Sequence, residues 1–263
     1  MIHWKSEDER FTIYIGDAVS VMRELPDESV DMVVADPPFG LSKPGGTTCR
    51  GGRRASSTKG SWDLPKTPMC QLAWAMTWMS EARRILRPTG SIMVCASMHN
   101  AYSSGFSLQN LGYRLLNDIT WVKIAPSPNL GCRTLQYAHE SILWASLGPR
   151  AKHYFNYDEL KQLNDDRQQQ DVWKFGRPSK PELVHSKHPT QKPVSLLRRC
   201  LLTALPEGGL VVDPFAGSGT TGVAAALNPS KSWSYIGIEL DPEWNEVAKR
   251  RIQDALKPAA RTA

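Results

Sequence analysis

The chain has 263 residues, 41% hydrophobic and 22% charged, the balance of a globular enzyme large enough to fold without cross-links. No apolar run approaches the ~18 residues of a membrane span, and the opening MIHWKSEDER is not expected to act as a signal peptide. Lys plus Arg exceed Asp plus Glu by 32 − 26 = 6, which suits a polyanionic partner without establishing one.

Seven β-rich runs are predicted in chain order, at 11–16, 30–35, 91–96, 114–122, 141–145, 210–213 and 235–239. An amphipathic helix over 68–86, stopped by Arg87-Pro88-Thr89-Gly90, separates the second run from the third. Two more helices, 193–205 and 241–256, precede the sixth run and follow the seventh. The alternation predicts one α/β domain with helices on both faces of a mostly parallel sheet. Residues 41–62 hold Lys43, Arg50, Arg53, Arg54 and Lys59, no acid, and many Gly, Ser and Thr, so a floppy solvated loop is one reading of them. Residues 148–189 are polar, contain DDRQQQD, and read as an insertion on the rim of the sheet.

Two motifs carry chemistry. Residues 209–222, GLVVDPFAGSGTTG, run from a strand through a glycine turn into an Ala-rich helix, and Gly217, Gly219 and Gly222 match G-x-G-x-x-G. Such a turn lets a ligand approach the backbone at a helix N-terminus. Glu239 ends the next strand 20 residues past Gly219, where a carboxylate can accept ribose hydroxyls. The pattern indicates a nucleoside cofactor but does not by itself separate NAD from S-adenosylmethionine. Only about two dozen residues follow Glu239, which disfavours a dehydrogenase.

The second motif is Asp36-Pro37-Pro38-Phe39, at the C-terminal end of a buried strand, the edge where open α/β sheets bind ligands. Two prolines fix φ and remove both backbone donors, leaving acceptors. An exocyclic amine on a base is a poor nucleophile because its lone pair is delocalised. Asp36 and the Pro37 carbonyl can each accept one of its N–H groups, and Phe39 can stack on a base flipped out of the duplex.

With these residues the chain resembles the amino-specific DNA methyltransferases, in the β arrangement where the catalytic motif precedes the cofactor motif. KHPTQKPVSLLRRCL (187–201), Gly16-Asp17-Ala18, YIGIELDPEW (235–244), Trp121-Val122-Lys123 and Ala138-His139-Glu140-Ser141 also resemble stretches of that family. The resemblance implies a Rossmann-like S-adenosylmethionine-dependent fold with circularly ordered motifs. It implies that Asp36, Pro37, Pro38 and Phe39 hold the target amine and base. Asp213, Phe215, Gly217 and Gly219 would line the cofactor, Thr220 and Lys192 would meet its methionine carboxylate, Glu239 its ribose, and Asp17 its adenine end. Residues 148–189 would contain the target-recognition region, and 41–62 would close over double-stranded DNA and contact phosphates. An Asp at the first motif position goes with adenine N6 in this family and a Ser with cytosine N4, so N6 is favoured and N4 is the alternative. The resemblance also implies a cytoplasmic bacterial or phage-encoded protein of a restriction–modification system, with a homodimer and a cognate restriction nuclease as the accompanying partner expectations.

Five cysteines (Cys49, Cys70, Cys95, Cys132 and Cys200) lack C-x-x-C spacing, so reduced thiols and no metal site are expected. None follows a proline, as a cytosine-C5 nucleophile usually does; Cys70 is read as a core residue, and direct transfer without a covalent enzyme–base intermediate is expected. Two rivals are a glutamine-modifying protein methyltransferase, whose glycine loop would come first in the chain, and a non-catalytic DNA-binding module, which has no use for Asp36 beside a cofactor loop.

Overall fold

The computed structural model describes residues 1–50, 52–57, 59–64, 67–185 and 188–257, apart from the side chains of residues 43, 44, 54, 55, 57 and 61. The strand Val30–Ala35 is buried along its whole length because both its faces are covered. Met32 and Val34 point into one core and Val33 and Ala35 into another, the two-residue alternation of a central strand.

In chain order the elements are β1 (Ile2–Lys5), β2 (Phe11–Ile15), α1 (Ala18–Glu24), β3 (Val30–Ala35), β4 (Lys43–Thr48), β5 (Arg54–Ser57), α2 (Pro68–Ile85), β6 (Leu86–Ala96), α3 (Ala101–Asn110), β7 (Arg114–Lys123), β8 (His139–Ser146), α4 (Tyr157–Gln162), β9 (Val172–Phe175), α5 (Val194–Ala204), β10 (Leu210–Asp213), α6 (Thr220–Ala226), β11 (Ser234–Glu239) and α7 (Pro242–Leu256). The main sheet has the order β1-β2-β11-β10-β3-β6-β8-β7-β9. The pairs β2–β11, β11–β10, β10–β3, β3–β6 and β7–β9 are parallel, so the sheet is mostly parallel as expected. Helices α1, α2 and α3 supply one core and α5, α6 and α7 the other. Among the described residues no helix is long and apolar enough to cross a membrane.

The structure corrects the sequence reading in five places. Among the described residues the main sheet has nine strands, not seven, because the short edge strands β1 and β9 have too few buried positions to show a periodic signal. The segment 41–62 is not simply a floppy loop: β4 and β5 pair as an antiparallel hairpin that turns through Gly52 at φ 84°. Residues 148–189 are not all a rim insertion, since α4 lies against α5 and β9 extends the main sheet beside β7. Cys70 is exposed in the first turn of α2, where Thr67 caps its backbone N–H, rather than packed in the core. The run Leu86–Gly90, read as the end of a helix, instead begins β6.

Gly219 shows how closely the layers meet. It precedes α6 at φ 75°, and a Cβ there would lie 2.7 Å from the Ala248 Cβ and 3.0 Å from the Ala248 Cα on α7. Gly219→Ala should therefore cost about 1–2 kcal/mol for the left-handed backbone and roughly 1–3 kcal/mol for overpacking. The expected readout is a lower urea midpoint at unchanged slope; a wild-type midpoint would mean that α7 yields freely.

Candidate active site

Strands β3 and β10 are parallel neighbours, with Val211 opposite Met32 and Val212 opposite Val33. Their C-terminal ends therefore reach the same edge of the sheet. The chain leaving β3 goes on to α2 on one face, and the chain leaving β10 goes to α6 on the other. Loops that part in this way leave a crevice between them. Asp36 follows β3 and Asp213 ends β10, and Glu239 ends the next strand, β11. Asp17 stands after β2, whose Gly16 N–H donates to the Glu239 carbonyl at 3.1 Å. The catalytic and cofactor motifs expected from sequence thus share one edge.

At Asp36 the structure assembles a buried charge network. Lys192 is 8% exposed, and its Nζ donates to both Asp36 oxygens, at 2.7 and 2.6 Å. It also lies 3.6 Å from a Glu140 oxygen. Glu140 in turn accepts from Lys123 at 2.6 Å. Strand β8 runs antiparallel to β6, with Ser141 opposite Ala96, which brings Glu140 to the edge where Asp36 lies. Burial pushes the Asp36 carboxyl above its usual range and Lys192 pulls it back. Glu140 is also penalised by burial, but Lys192 and Lys123 together hold it below the usual range. The Lys192 ammonium, 5.1 Å from the centre of the Phe39 ring, is held firmly protonated by the two carboxylates. Cys95, buried on β6, feels both Asp36 and Lys192, and burial raises its thiol well above the ordinary range, so it is no nucleophile.

The glycine loop is fixed from several sides. Glu239 accepts the Gly217 N–H at 2.8 Å and the Asp241 N–H at 2.9 Å. Asp213 accepts the Phe215 N–H at 3.1 Å and the Thr221 hydroxyl at 2.6 Å. Phe215 packs against Trp74 and Trp78 on α2. Arg251 on α7, only 6% exposed, donates to the Ser218 hydroxyl at 2.9 Å and the Thr220 hydroxyl at 3.1 Å. The stretch before α5 bridges the two motifs: His188 faces Gly217, Gln191 accepts from Ser218 at 3.0 Å, and Lys192 reaches Asp36. His188 stacks on Trp62 and meets Trp244 edge-on at 4.4 Å, and burial with nearby cations pushes its imidazole down to about 4.

The residues at this crevice fit S-adenosylmethionine. Its sulfonium and ammonium are cations, and the carboxylates of Asp36, Asp213 and Glu239 stand at three adjacent strand ends. Each Glu239 oxygen accepts one backbone N–H, which leaves a lone pair on each for a ribose hydroxyl. Asp17 is exposed and caps α1 through the Ser20 N–H at 3.0 Å. The Thr220 hydroxyl is engaged by Arg251, and Lys192 is placed on Asp36.

The basic hairpin adjoins the site. Asp63, 1% exposed, accepts from Gly40 N–H at 2.7 Å, Leu41 N–H at 3.2 Å and the Ser42 hydroxyl at 3.2 Å, fastening the stretch after Phe39 to the hairpin base. The Lys59 backbone N–H donates to Ser42, and its ammonium lies 4.0 Å from Asp63. Arg50 and Arg53 are exposed near the turn, and the Arg50 N–H donates to the Leu130 carbonyl at 2.9 Å. The side chains of Lys43 and Arg54 lie outside the described residues. Asp63 and Arg251 are not singled out by sequence, and Lys123, Glu140 and His188 only as parts of similar stretches. The one signal for Asp63 is that it is the first acid after Asp36.

A family model described as DNA methylase matches residues 30–250. The chain is 39% identical over 252 residues to the Type II methyltransferase M2.MboI of Moraxella bovis, covering 96% of this chain and 91% of that protein. It is 40% identical over 239 residues to the Type II methyltransferase M2.DpnII of Streptococcus pneumoniae, covering 90% and 88%. Among solved structures, the cytosine-N4-specific PvuII DNA methyltransferase matches with a TM-score of 0.71 at 20% identity, over 96% of this chain and 92% of that one.

Asp213 gives this edge a pH signature. Burial, with smaller contributions from the Asp36 and Glu239 charges, pushes its carboxyl up to about 7 from 3.8. Between roughly pH 4 and 7 the folded chain holds a proton there that the unfolded chain has lost, so stability falls as pH rises through that window. At about 1.36 kcal/mol per unit the loss is on the order of 4 kcal/mol at most. Asp213→Asn cannot ionise and should lack this decline. Urea unfolding at both ends of the window measures it, and parallel curves would show Asp213 to be ionised throughout.

Proposed function

The chain belongs to the DNA methylase family, and from that premise we propose that it methylates the N6 amino group of adenine, with Asp36 as the residue that holds the amine. It is an S-adenosylmethionine-dependent enzyme that modifies an exocyclic amine in DNA. The observation that carries the reading is the placement of Asp36 beside the glycine loop, with a buried ammonium hydrogen-bonded to both its oxygens.

The bound cofactor supplies an electrophilic methyl group on a cationic sulfur. The remaining work falls to this chain. Asp36 accepts an N–H of the target amine, which localises the nitrogen lone pair and gives the proton released on methylation somewhere to go. Glu239 takes the ribose hydroxyls, and its own carboxylate charge favours a cationic ligand. Phe39 offers the base a stacking face. Arg50, Arg53 and Lys59, with Lys43 and Arg54, supply phosphate contacts from the hairpin. The segment 148–189 carries target recognition. Adenine follows from an Asp rather than a Ser at position 36; cytosine N4 is the alternative. A cytoplasmic setting and a partner nuclease belong to the same reading. A homodimer belongs to it as well.

Mass spectrometry of nucleosides from DNA treated with the purified chain tests this reading. N6-methyladenine is expected, and N4-methylcytosine alone would transfer the assignment to the alternative. Asp36→Ala should cut transfer ~10²–10⁴-fold while cofactor affinity stays near wild type. Glu239→Ala should instead weaken cofactor binding by about 1.5–3 kcal/mol. Equal loss of binding in both variants would make Asp36 a structural residue.

Replacing Arg50 and Arg53 by Ala should weaken binding to all DNA sequences alike. The slope of log affinity against log salt should drop by about 0.9 for each phosphate that is no longer neutralised. An unchanged slope would remove the hairpin from the DNA interface.

A further inference from the structure

Lys192 lies between two carboxylates and hydrogen-bonds only one of them. Its ammonium is 2.7 and 2.6 Å from the Asp36 oxygens and 3.6 Å from Glu140 Oε2. That Glu140 oxygen is buried and makes no hydrogen bond among the described residues. Its twin is held by Lys123 at 2.6 Å. A buried carboxylate oxygen without a donor is costly, and here it faces an ammonium just outside bonding range. The arrangement has room for Lys192 on either acid.

Asp36 makes opposite demands on its neighbours at different stages. Before substrate arrives, a buried carboxylate near Glu140 and Asp213 needs a cation, or it takes up a proton and turns from acceptor into donor. An amine presenting N–H groups then meets a donor and is not held. Once the amine arrives, the same oxygens need free lone pairs, and the ammonium on them competes.

We propose that Lys192 is a shared ammonium and Glu140 its second seat: Lys192 holds Asp36 as an anion in the resting enzyme and moves toward Glu140 when the target amine takes its place on Asp36. A shift of about 1 Å brings the longer contact into charge-assisted bonding range. Both are positioning residues that act through Asp36, and the inference rests on Asp36 holding the amine. The charged and titratable groups facing the pair are Lys59 and Asp213 beside Asp36, Cys95 and His188 beside Lys192, and Lys123 and Lys59 beside Glu140. Lys123 is the fixed partner that keeps Glu140 charged and able to receive the second ammonium.

Single-turnover methylation by the full chain, with cofactor saturating and pH varied, tests this. Lys192→Met should move the acid limb of the rate upward by about one unit or more, with activity partly regained at high pH, and Lys192→Arg should restore a limb close to wild type. Glu140→Gln should move the limb the other way, to lower pH, because it deletes a negative neighbour of Asp36. Its plateau rate should fall at least about tenfold, with much smaller changes in cofactor Kd and DNA KM, because the ammonium then has no second seat. Weakened cofactor affinity in Lys192→Met with an unmoved limb would make Lys192 a cofactor ligand and overturn the proposal. So would a Glu140→Gln limb that stays put or moves upward; that variant keeps the side-chain shape and decides alone if Lys192→Met does not fold. A wild-type chain that methylates no DNA would instead refute the role given to Asp36, and the shared ammonium with it.

Discussion

The parallel pairing of β3, β10 and β11 is the constraint from which the site follows. Parallel neighbours end on the same side of a sheet, and the registers Val212–Val33 and Asp213–Gly237 put the ends of all three strands side by side. Asp36, Asp213 and Glu239 then gather at one edge whatever their separation in the chain. Because the chains leaving β3 and β10 depart to opposite faces, their loops part at this edge, and the stretch 188–192 bridges them. The crevice is a by-product of topology, and its acidity a by-product of which residues end the strands.

An edge this acidic has to be compensated, and the compensation comes from elsewhere in the fold. Lys192 neutralises Asp36 from the stretch before α5, and Lys123 neutralises Glu140 from β7. Among the described residues Asp213 has no cation bonded to it; burial pushes its carboxyl up, and the hydroxyl and backbone N–H bonded to it pull it back only in part. Arg251 bonds the glycine loop itself and is pushed down to about 10 by burial. Of the carboxylates at the glycine loop, Glu239 is held by backbone N–H groups with no cation bonded to it among the described residues, while Asp213 takes up a proton instead. That is the charge pattern a cationic ligand completes, and it opposes an anionic one such as a dinucleotide pyrophosphate.

Much of this was legible in the sequence, for a physical reason. Central strands such as β3 and β10 are buried on both faces, so their composition is dictated and their bounds match the prediction. Motif residues at strand ends are tied to backbone geometry and keep short-range signatures. What stayed hidden depends on long-range contacts. Residues of β1 and β9 become strands only because β2 and β7 offer open edges. The basic stretch holds glycines and polar residues that suggest solvent exposure, yet Asp63 ties its base to Gly40, Leu41 and Ser42. Glu140 stands in a stretch similar to the family, but nothing local marks its role. Only the antiparallel register of β8 against β6 carries it to Asp36.

The order of motifs along the chain matters little for the chemistry, and the stretch 188–192 shows why. Asp36 and Gly217 are 181 positions apart in sequence, yet His188 faces Gly217, Gln191 bonds Ser218 and Lys192 bonds Asp36. One short segment thereby fixes the spacing of both motifs by direct bonds. The sheet sets which edge they occupy, and this segment sets how the two loops face each other across it. Neither task depends on which motif is encountered first from the N-terminus. A chain opened at another exposed connection would keep the same strand register and the same bonds, and so the same site.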